Sequence, residues 1–142
     1  MNNHLIIKEV IVPVQVKLVW EAITDPDAMK KWYFEVNNFK LEVGNEFFFY
    51  EPGDAKKFRH VCEITEVNPN RRFSHTWTFP DYSDGVSHLT WDLTEELDRT
   101  RIRLTHEGVE NFADGGSDFA RASFDAGWHE IVTQILVNYL IH

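Results

Sequence analysis

Apolar and polar residues alternate along residues 73–79, FSHTWTF, with the period of two that predicts a β-strand. In an extended chain His75 shares one face with three large aromatic residues, while three small hydroxyl residues point to the other face. A strand face of this kind lies against either a packed core or a cavity that contains one polar group.

The same alternation recurs along most of the chain, interrupted by turn residues, and predicts a series of strands. The predicted strands are residues 4–12, 39–43, 46–51, 58–67, 72–79, 87–95 and 100–107. Their short connections indicate that neighbouring strands are antiparallel. The alternation breaks between Glu63 and Val67, where we expect a β-bulge.

Between the first two strands the apolar residues change to helical spacing. The apolar stripe from Val16 to Ile23 predicts a short helix that must end before Pro26. Because proline suits the first turn of a helix, a second short helix is predicted over residues 26–32.

A loop over residues 113–118 is predicted to lead into a long amphipathic helix that runs almost to the C-terminus. Its apolar residues are Phe124, Trp128, Val132, Ile135, Leu136, Tyr139 and Leu140. Gly127 lies inside this helix, where glycine costs about 1 kcal/mol relative to alanine. We expect Gly127 either to permit the close approach of a strand or to open the mouth of a cavity.

These elements predict an α+β fold. A sheet of this kind has one face to bury, and only the final helix is long enough to cover it. We therefore expect a curved antiparallel sheet of about six to seven strands wrapped around the C-terminal helix, with two short helices after the first strand. With 142 residues, of which 43% are hydrophobic, the chain has the size and composition of one domain over residues 1–142.

The predicted inner face of the sheet is strongly aromatic. Rigid rings fill the space beneath a curved sheet less completely than aliphatic side chains, which favours a cavity. Aromatic stripes are also common in ordinary packed cores, so the sequence leaves both interpretations open.

Charge and composition narrow the classes of partner. The formal net charge of −9 opposes binding to nucleic-acid backbones and to anionic membranes. No apolar stretch approaches the roughly 18 residues that span a bilayer, and the first residues lack the pattern of a signal peptide. Cys62 is the only cysteine and cannot form an internal disulfide. We expect a cytoplasmic protein.

Three histidines on the predicted inner face, His60, His75 and His106, raise the question of a metal site. With tight turns His75 lies near Trp91 on the next strand, which separates His75 from His106 by roughly 12 Å. Ligands of one zinc ion lie about 2 Å from the metal. The only thiol, that of Cys62, has no CxxC partner. We expect no metal and no other cofactor.

The sequence contains no GxSxG, HExxH, Walker or GxGxxG motif. Ser87 and Ser123 have no evident partner that acts as a base. Acid–base catalysis by His75 stays open, because a neutral imidazole in an apolar pocket can accept or donate a proton. We expect no catalytic residue, and a binding protein more than an enzyme.

Five stretches, in this order along the chain, resemble the START-like, or SRPBCC, superfamily and within it the group named after the activator of heat-shock protein 90 ATPase. They are VPVQVKLVWEAITDPDAMKKW, VNPNRRFSHTW, SHLTWDL, TRIRLTHEG and GWHEIVTQILVNYL. The similarity covers about residues 7–140. It implies the helix-grip fold of birch-pollen-allergen-like proteins, with a deep hydrophobic pocket between the sheet and the C-terminal helix.

The resemblance also implies which residues form the wall of that pocket. They are Trp32, Phe49, His75, Trp77, Trp91, His106, Phe124 and Trp128, to which the strand alternation adds His60.

Since the superfamily is diverse in function, the fold alone does not decide the role of this chain. The first expectation is a protein that binds a small hydrophobic or amphiphilic molecule, with His75 orienting its polar end. The second is an aromatase/cyclase-like enzyme that uses pocket histidines as acid and base. The third is a co-chaperone or stress-response module with a chaperone as its partner.

Overall fold

Six antiparallel strands form one curved sheet in the computed structural model, which describes residues 5–50, 58–116 and 119–142. The strands are β1 Leu5–Val12, β2 Glu46–Tyr50, β3 Arg59–Asn68, β4 Arg72–Trp77, β5 Ser87–Glu96 and β6 Arg99–Glu107. Their order across the sheet is β1-β6-β5-β4-β3-β2. The first strand thus pairs with the last, and β2 to β6 pair in sequence order.

Helices complete the predicted α+β architecture. They are α1 Val16–Thr24, α2 Pro26–Trp32, a 3-10 helix Val109–Gly115, α3 Arg121–Glu130, a π-helical segment Ile131–Leu136 and α4 Val137–Ile141. The last three form one continuous helix over residues 121–141, which we call the C-terminal helix. The helix-grip arrangement is confirmed. No helix among the described residues combines the length and apolar character needed to cross a bilayer.

The π-helical segment follows from a four-residue repeat in the C-terminal helix. Trp128, Val132 and Leu136 are buried, and the half-buried Phe124 and Leu140 extend the same spacing at both ends. In an α-helix each step of four residues turns about 40° past a full turn, so the stripe would drift away from the sheet. The wider π-helical turn offsets part of this drift.

The predicted strand over residues 39–43 is wrong. Asn37 pairs with Phe48 on β2, but Asn38 then adopts a positive φ of 62°, and the chain leaves the edge of the sheet. The side chain of Asn38 donates to the carbonyl of Glu46 in place of a strand ladder. Side chains thus alternate over residues 39–43 as they do in a strand, but the backbone there pairs with no other strand.

The structure also tests two smaller predictions, the bulge and the loop over residues 113–118. The bulge is confirmed, because the β3–β4 register shifts between Ile64 and Glu66. Residues 113–115, predicted as loop, belong to the 3-10 helix, whereas residues 4, 51 and 117–118 of the predicted elements lie outside the described residues.

Gly127 does not serve the packing role expected from the sequence. A Cβ atom at this position would meet no heavy atom within 4 Å, so no strand approaches the helix closely there. Of the two expected roles, the close approach of a strand is thus wrong, and the glycine lowers the helix propensity at this position.

We expect Gly127→Ala to raise the free energy of unfolding by about 0.5–1 kcal/mol, because alanine has the higher helix propensity. Urea unfolding at neutral pH measures the change. Gly44→Ala is the matched control, since Gly44 also has open space around it but adopts a φ of 93°. That variant should lose about 1 kcal/mol. A destabilised Gly127→Ala protein would show that the open space is needed.

Candidate functional site

Phe49 on β2 lies at the centre of an aromatic cluster between the sheet and the C-terminal helix. Its ring is fully buried and stacks on Phe34 and on His60, each with ring centroids 4.5 Å apart. Trp77 meets it edge to face at 5.5 Å, and Tyr33 lies at 6.1 Å. Strand alternation brings Phe49, His60 and Trp77 to the inner face, whereas Tyr33 and Phe34 enter from the segment after α2.

The nine residues predicted from the resemblance and from strand alternation lie in one connected part of the interior. Eight are buried and Phe124 is half-buried. Trp77 packs on Trp128 with ring centroids 5.2 Å apart, and Trp91 reaches both Trp128 and Trp32 at 6.5 and 6.3 Å. The predicted set is therefore contiguous in space.

Little free space remains beside Phe49. The space among Trp32, Tyr33, Phe49 and His75 is a cavity of about 10 Å³. That volume holds roughly one water molecule. The deep pocket implied by the resemblance is thus occupied by side chains here, because Tyr33 and Phe34 project into it.

Three polar atoms in this cluster are buried without a hydrogen-bond partner in the described part of the chain. They are the Tyr33 hydroxyl, His60 Nδ1 and Trp77 Nε1. The rings that carry these atoms all border Phe49. Native interiors contain few such atoms, and each one costs about 1–3 kcal/mol. Their concentration around one ring distinguishes this region from an ordinary core.

His106 lies in a complete hydrogen-bond chain. Trp128 Nε1 donates to His106 Nδ1 at 2.9 Å, so the proton of the neutral imidazole must be on Nε2. Nε2 then donates to Ser87 Oγ at 2.8 Å, and the Ser87 hydroxyl donates to the carbonyl of Trp77 at 2.9 Å. Ser87, for which the sequence showed no evident base partner, thus has an imidazole as its neighbour.

The direction of these hydrogen bonds argues against catalysis by Ser87. A serine nucleophile must give its proton to an unprotonated imidazole nitrogen. Here His106 Nε2 carries a proton towards Ser87, and the hydroxyl proton of Ser87 points to a backbone oxygen. The chain joins β4, β5, β6 and the C-terminal helix, which is a structural role.

His75 has a partner within its own strand. Its Nδ1 lies 2.7 Å from the Thr76 carbonyl, so Nδ1 carries the proton and donates it. The predicted neighbour Trp91 is wrong, because His75 pairs with Leu89. The residues between β4 and β5 form a wide connection with a turn from Phe79 to Ser83, and the assumption of a tight turn displaced the register by two residues.

The corrected register brings His75 closer to His106 than the sequence suggested. Leu89 pairs with both, so the two histidines are two strand spacings apart, or about 10 Å. Within residues 5–50, 58–116 and 119–142, no group of three or more His, Cys, Asp or Glu side chains is placed to hold a metal.

Burial sets the protonation of this interior. It lowers the pKa of His60 and of His75 to about 4 each and the pKa of His106 to about 3. Burial also raises the pKa of the Tyr33 hydroxyl and of the Cys62 thiol well above their ordinary values. All five side chains are consequently neutral at pH 7.

The family of the chain follows from a comparison with known families. A family model described as "Activator of Hsp90 ATPase homolog 1-like protein" matches residues 13–140, which is most of the sequence. The chain belongs to this family. A comparison with curated protein sequences finds no significant match.

Several proteins of known structure have a similar fold. DynU16, described as a putative protein in the dynemicin biosynthetic locus, is 25% identical with a TM-score of 0.79. The match covers 98% of this chain and 48% of DynU16, so the chain spans about half of that protein. Protein BH1534 of Bacillus halodurans is 26% identical with a TM-score of 0.73, over 96% of both chains.

An Hsp90 activator from Plasmodium falciparum also has this fold. It is 17% identical with a TM-score of 0.72, and the match covers 96% of this chain and 93% of that protein. At this identity the likeness concerns the fold alone.

Tyr33 and Phe34 are residues of the cluster that the sequence analysis missed. They directly follow Trp32, so three consecutive aromatic residues end α2 and begin the next segment. Such a run does not fit the amphipathic stripe of a helix or the alternation of a strand. That mismatch was the available signal.

The buried histidines predict a loss of stability in mild acid. In the unfolded chain they bind protons near pH 6.5, whereas in the folded protein they stay neutral down to about pH 4 or 3. Between these values the unfolded state binds more protons, so stability falls as the pH falls. Each histidine contributes about 1 kcal/mol per pH unit below pH 6.5.

Urea unfolding between about pH 7.5 and about pH 5 measures this slope. We expect His75→Phe to remove about one third of it, because one of the three histidines is lost. A free energy of unfolding that stays constant over this range would contradict the assignment of neutral, buried imidazoles.

Proposed function

We propose that the protein binds a small hydrophobic or amphiphilic molecule in the interior around Phe49. The observation that carries this proposal is the set of three unpartnered polar atoms, on Tyr33, His60 and Trp77, within an aromatic cluster. Rings supply apolar contact area, and a few convergent polar atoms supply orientation, which is the usual composition of a ligand site.

In an interior that binds no ligand, the buried hydroxyl of Tyr33 lowers the stability of the protein. A phenylalanine in place of Tyr33 would fill the same space without leaving a buried hydroxyl unpaired. A polar group on a ligand would pair with that hydroxyl and recover the cost. Sites that are arranged for binding often sacrifice stability in this way.

Binding requires the interior to open, because the cavity of about 10 Å³ holds no more than a water molecule. A pocket that exists in a minor conformation becomes dominant when a ligand binds that conformation more tightly. The cost of opening lowers the apparent affinity, and selectivity then depends on the polar contacts.

An aromatase/cyclase-like activity has less support. His106 is held by Trp128 and Ser87, and His75 donates to a backbone oxygen, so both imidazoles already have partners. With pKa values of about 4 and 3, these imidazoles bind protons weakly at pH 7. Backbone groups of Phe49 and Phe58 offset part of the burial effect on the pKa of His60, but its Nδ1 makes no complete hydrogen bond and is better suited to orienting a ligand.

We expect Tyr33→Phe to raise the free energy of unfolding by about 1 kcal/mol and to weaken ligand binding. Both effects have one cause, the loss of the unpaired hydroxyl. Tyr139→Phe is the control, because Tyr139 is half-buried on the C-terminal helix and contributes no unpartnered atom. Chemical unfolding and a binding titration measure the two effects. A Tyr33→Phe protein that is less stable would count against the site.

Native mass spectrometry of the protein purified from its own host tests the function directly. We expect a reproducible extra mass, at most a few hundred daltons, that is released on denaturation. If no mass is retained and a panel of hydrophobic and amphiphilic compounds shows no binding, the proposal fails.

A second candidate, interaction with a chaperone, is favoured by the description of the family. On the outer face of the sheet, a groove of about 870 Å³ is lined by charged residues that include Arg71, Arg72 and Arg103. This groove offers a polar surface for a protein partner. Both candidate functions are consistent with a cytoplasmic protein.

The chaperone candidate is tested by adding the purified chain to Hsp90 from the same host. We expect a higher ATPase rate, and a reduced effect at high salt if the charged groove is the contact. An unchanged ATPase rate over a wide range of concentrations would exclude this role.

A further inference from the structure

Residues 33–36 connect α2 to the edge of β2 with few backbone constraints. The Tyr33 amide ends α2 by donating to the Met29 carbonyl at 2.7 Å, and Asn37 exchanges two backbone hydrogen bonds with Phe48. Between these points, no backbone hydrogen bond in the described part of the chain ties residues 34–36 to the sheet. Segments held in this way open at low free-energy cost.

The ring of Phe34 packs against two buried rings of the interior. Phe34 is half-buried and stacks on Phe49 with an interplanar angle of 22°. Phe49 stacks in turn on His60 with an angle of 10°. Phe34 also lies 5.9 Å from His60 at a tilt of 31°, so the half-buried ring of Phe34 covers the two buried rings of Phe49 and His60.

Four observations define what could replace the ring of Phe34. The stacked geometry of Phe49 fits a planar, aromatic group. The unpartnered atoms of His60 and Trp77 beside Phe49 fit a hydroxyl or carbonyl group. Withdrawal of Phe34 together with Val36, both packed against the core, would free more than the roughly 150 Å³ that holds one benzene ring, which leaves room for one or two fused rings.

The fourth observation concerns charge. Among the described residues, no Asp, Glu, Lys or Arg side chain is buried. A charged group on a ligand would therefore lose its hydration without gaining an ionic partner, which is strongly unfavourable.

This inference rests on the proposed function of ligand binding. We propose that residues 34–36 form a displaceable aromatic plug, and that the site beneath it takes an uncharged, planar aromatic molecule with one hydroxyl or carbonyl group. The molecule stacks on Phe49 in the place of Phe34, and its polar group pairs with the unpartnered atom of Tyr33, His60 or Trp77. We call residues 34–36 the plug.

The ligand class is tested with four probes and the intact wild-type chain by equilibrium dialysis. Naphthol is neutral, planar and polar; naphthalene lacks the polar group, naphthoate is anionic, and decanol is neutral but not planar. We expect naphthol to bind most tightly, naphthalene about 2- to 10-fold more weakly for the loss of one hydrogen bond, and naphthoate at least about 10-fold more weakly.

The plug is tested with Phe34→Ala. Since displacement of Phe34 competes with binding, its removal should tighten naphthol binding by at least about threefold. Phe48→Ala is the matched control, because Phe48 lies on the opposite face of the same strand as Phe49 and should leave the affinity unchanged. Phe34→Leu keeps a half-buried apolar side chain and serves if the alanine variant does not fold, with a smaller effect in the same direction.

The outcomes separate this inference from the proposed function. Preferential binding of naphthoate or decanol overturns the ligand class and leaves ligand binding intact. Equal affinity for naphthalene and naphthol would show that the unpartnered polar atoms do not contribute to binding. A folded Phe34 variant whose naphthol affinity is unchanged or lower overturns the plug. If none of the probes binds and no molecule is retained on purification, the inference and the proposed function both fail.

Discussion

The contact between Trp128 and the inner face of the sheet is the constraint on which the rest of the structure depends. Its ring packs on Trp77, and its Nε1 donates to His106 Nδ1. A tryptophan of this kind buries roughly 200 Å² and must also find a partner for its N–H group. By meeting both needs on β4 and β6, Trp128 places the C-terminal helix across the sheet and sets the tautomer of His106.

One consequence is that two kinds of polar group coexist in the same interior. Those of His106 and Ser87 are fully paired and connect strands to the helix, so they specify one arrangement. The polar atoms of Tyr33, His60 and Trp77 are not paired, although the rings that carry them border Phe49. The paired groups hold the strands and the helix together. The unpaired groups make their part of the interior suited to rearrangement when a ligand binds.

Membership of the family establishes the architecture but not the content of the interior. Proteins with this fold occur in settings as different as a biosynthetic locus and Hsp90 activation. In this chain the segment after α2 brings Tyr33 and Phe34 into the space between the sheet and the helix. Function on such a fold depends on these local side chains rather than on the arrangement of strands.

The sequence by itself determined the strands, the two short helices, the long C-terminal helix and the inward face of His60 and His75, because side-chain direction follows from local backbone geometry. It also predicted the bulge after Ile64. Only the tertiary structure decided that His75 pairs with Leu89, that residues 39–43 have no strand partner, and that the interior is filled. These features depend on the course of connecting segments and on contacts between residues far apart in sequence, which no local periodicity encodes.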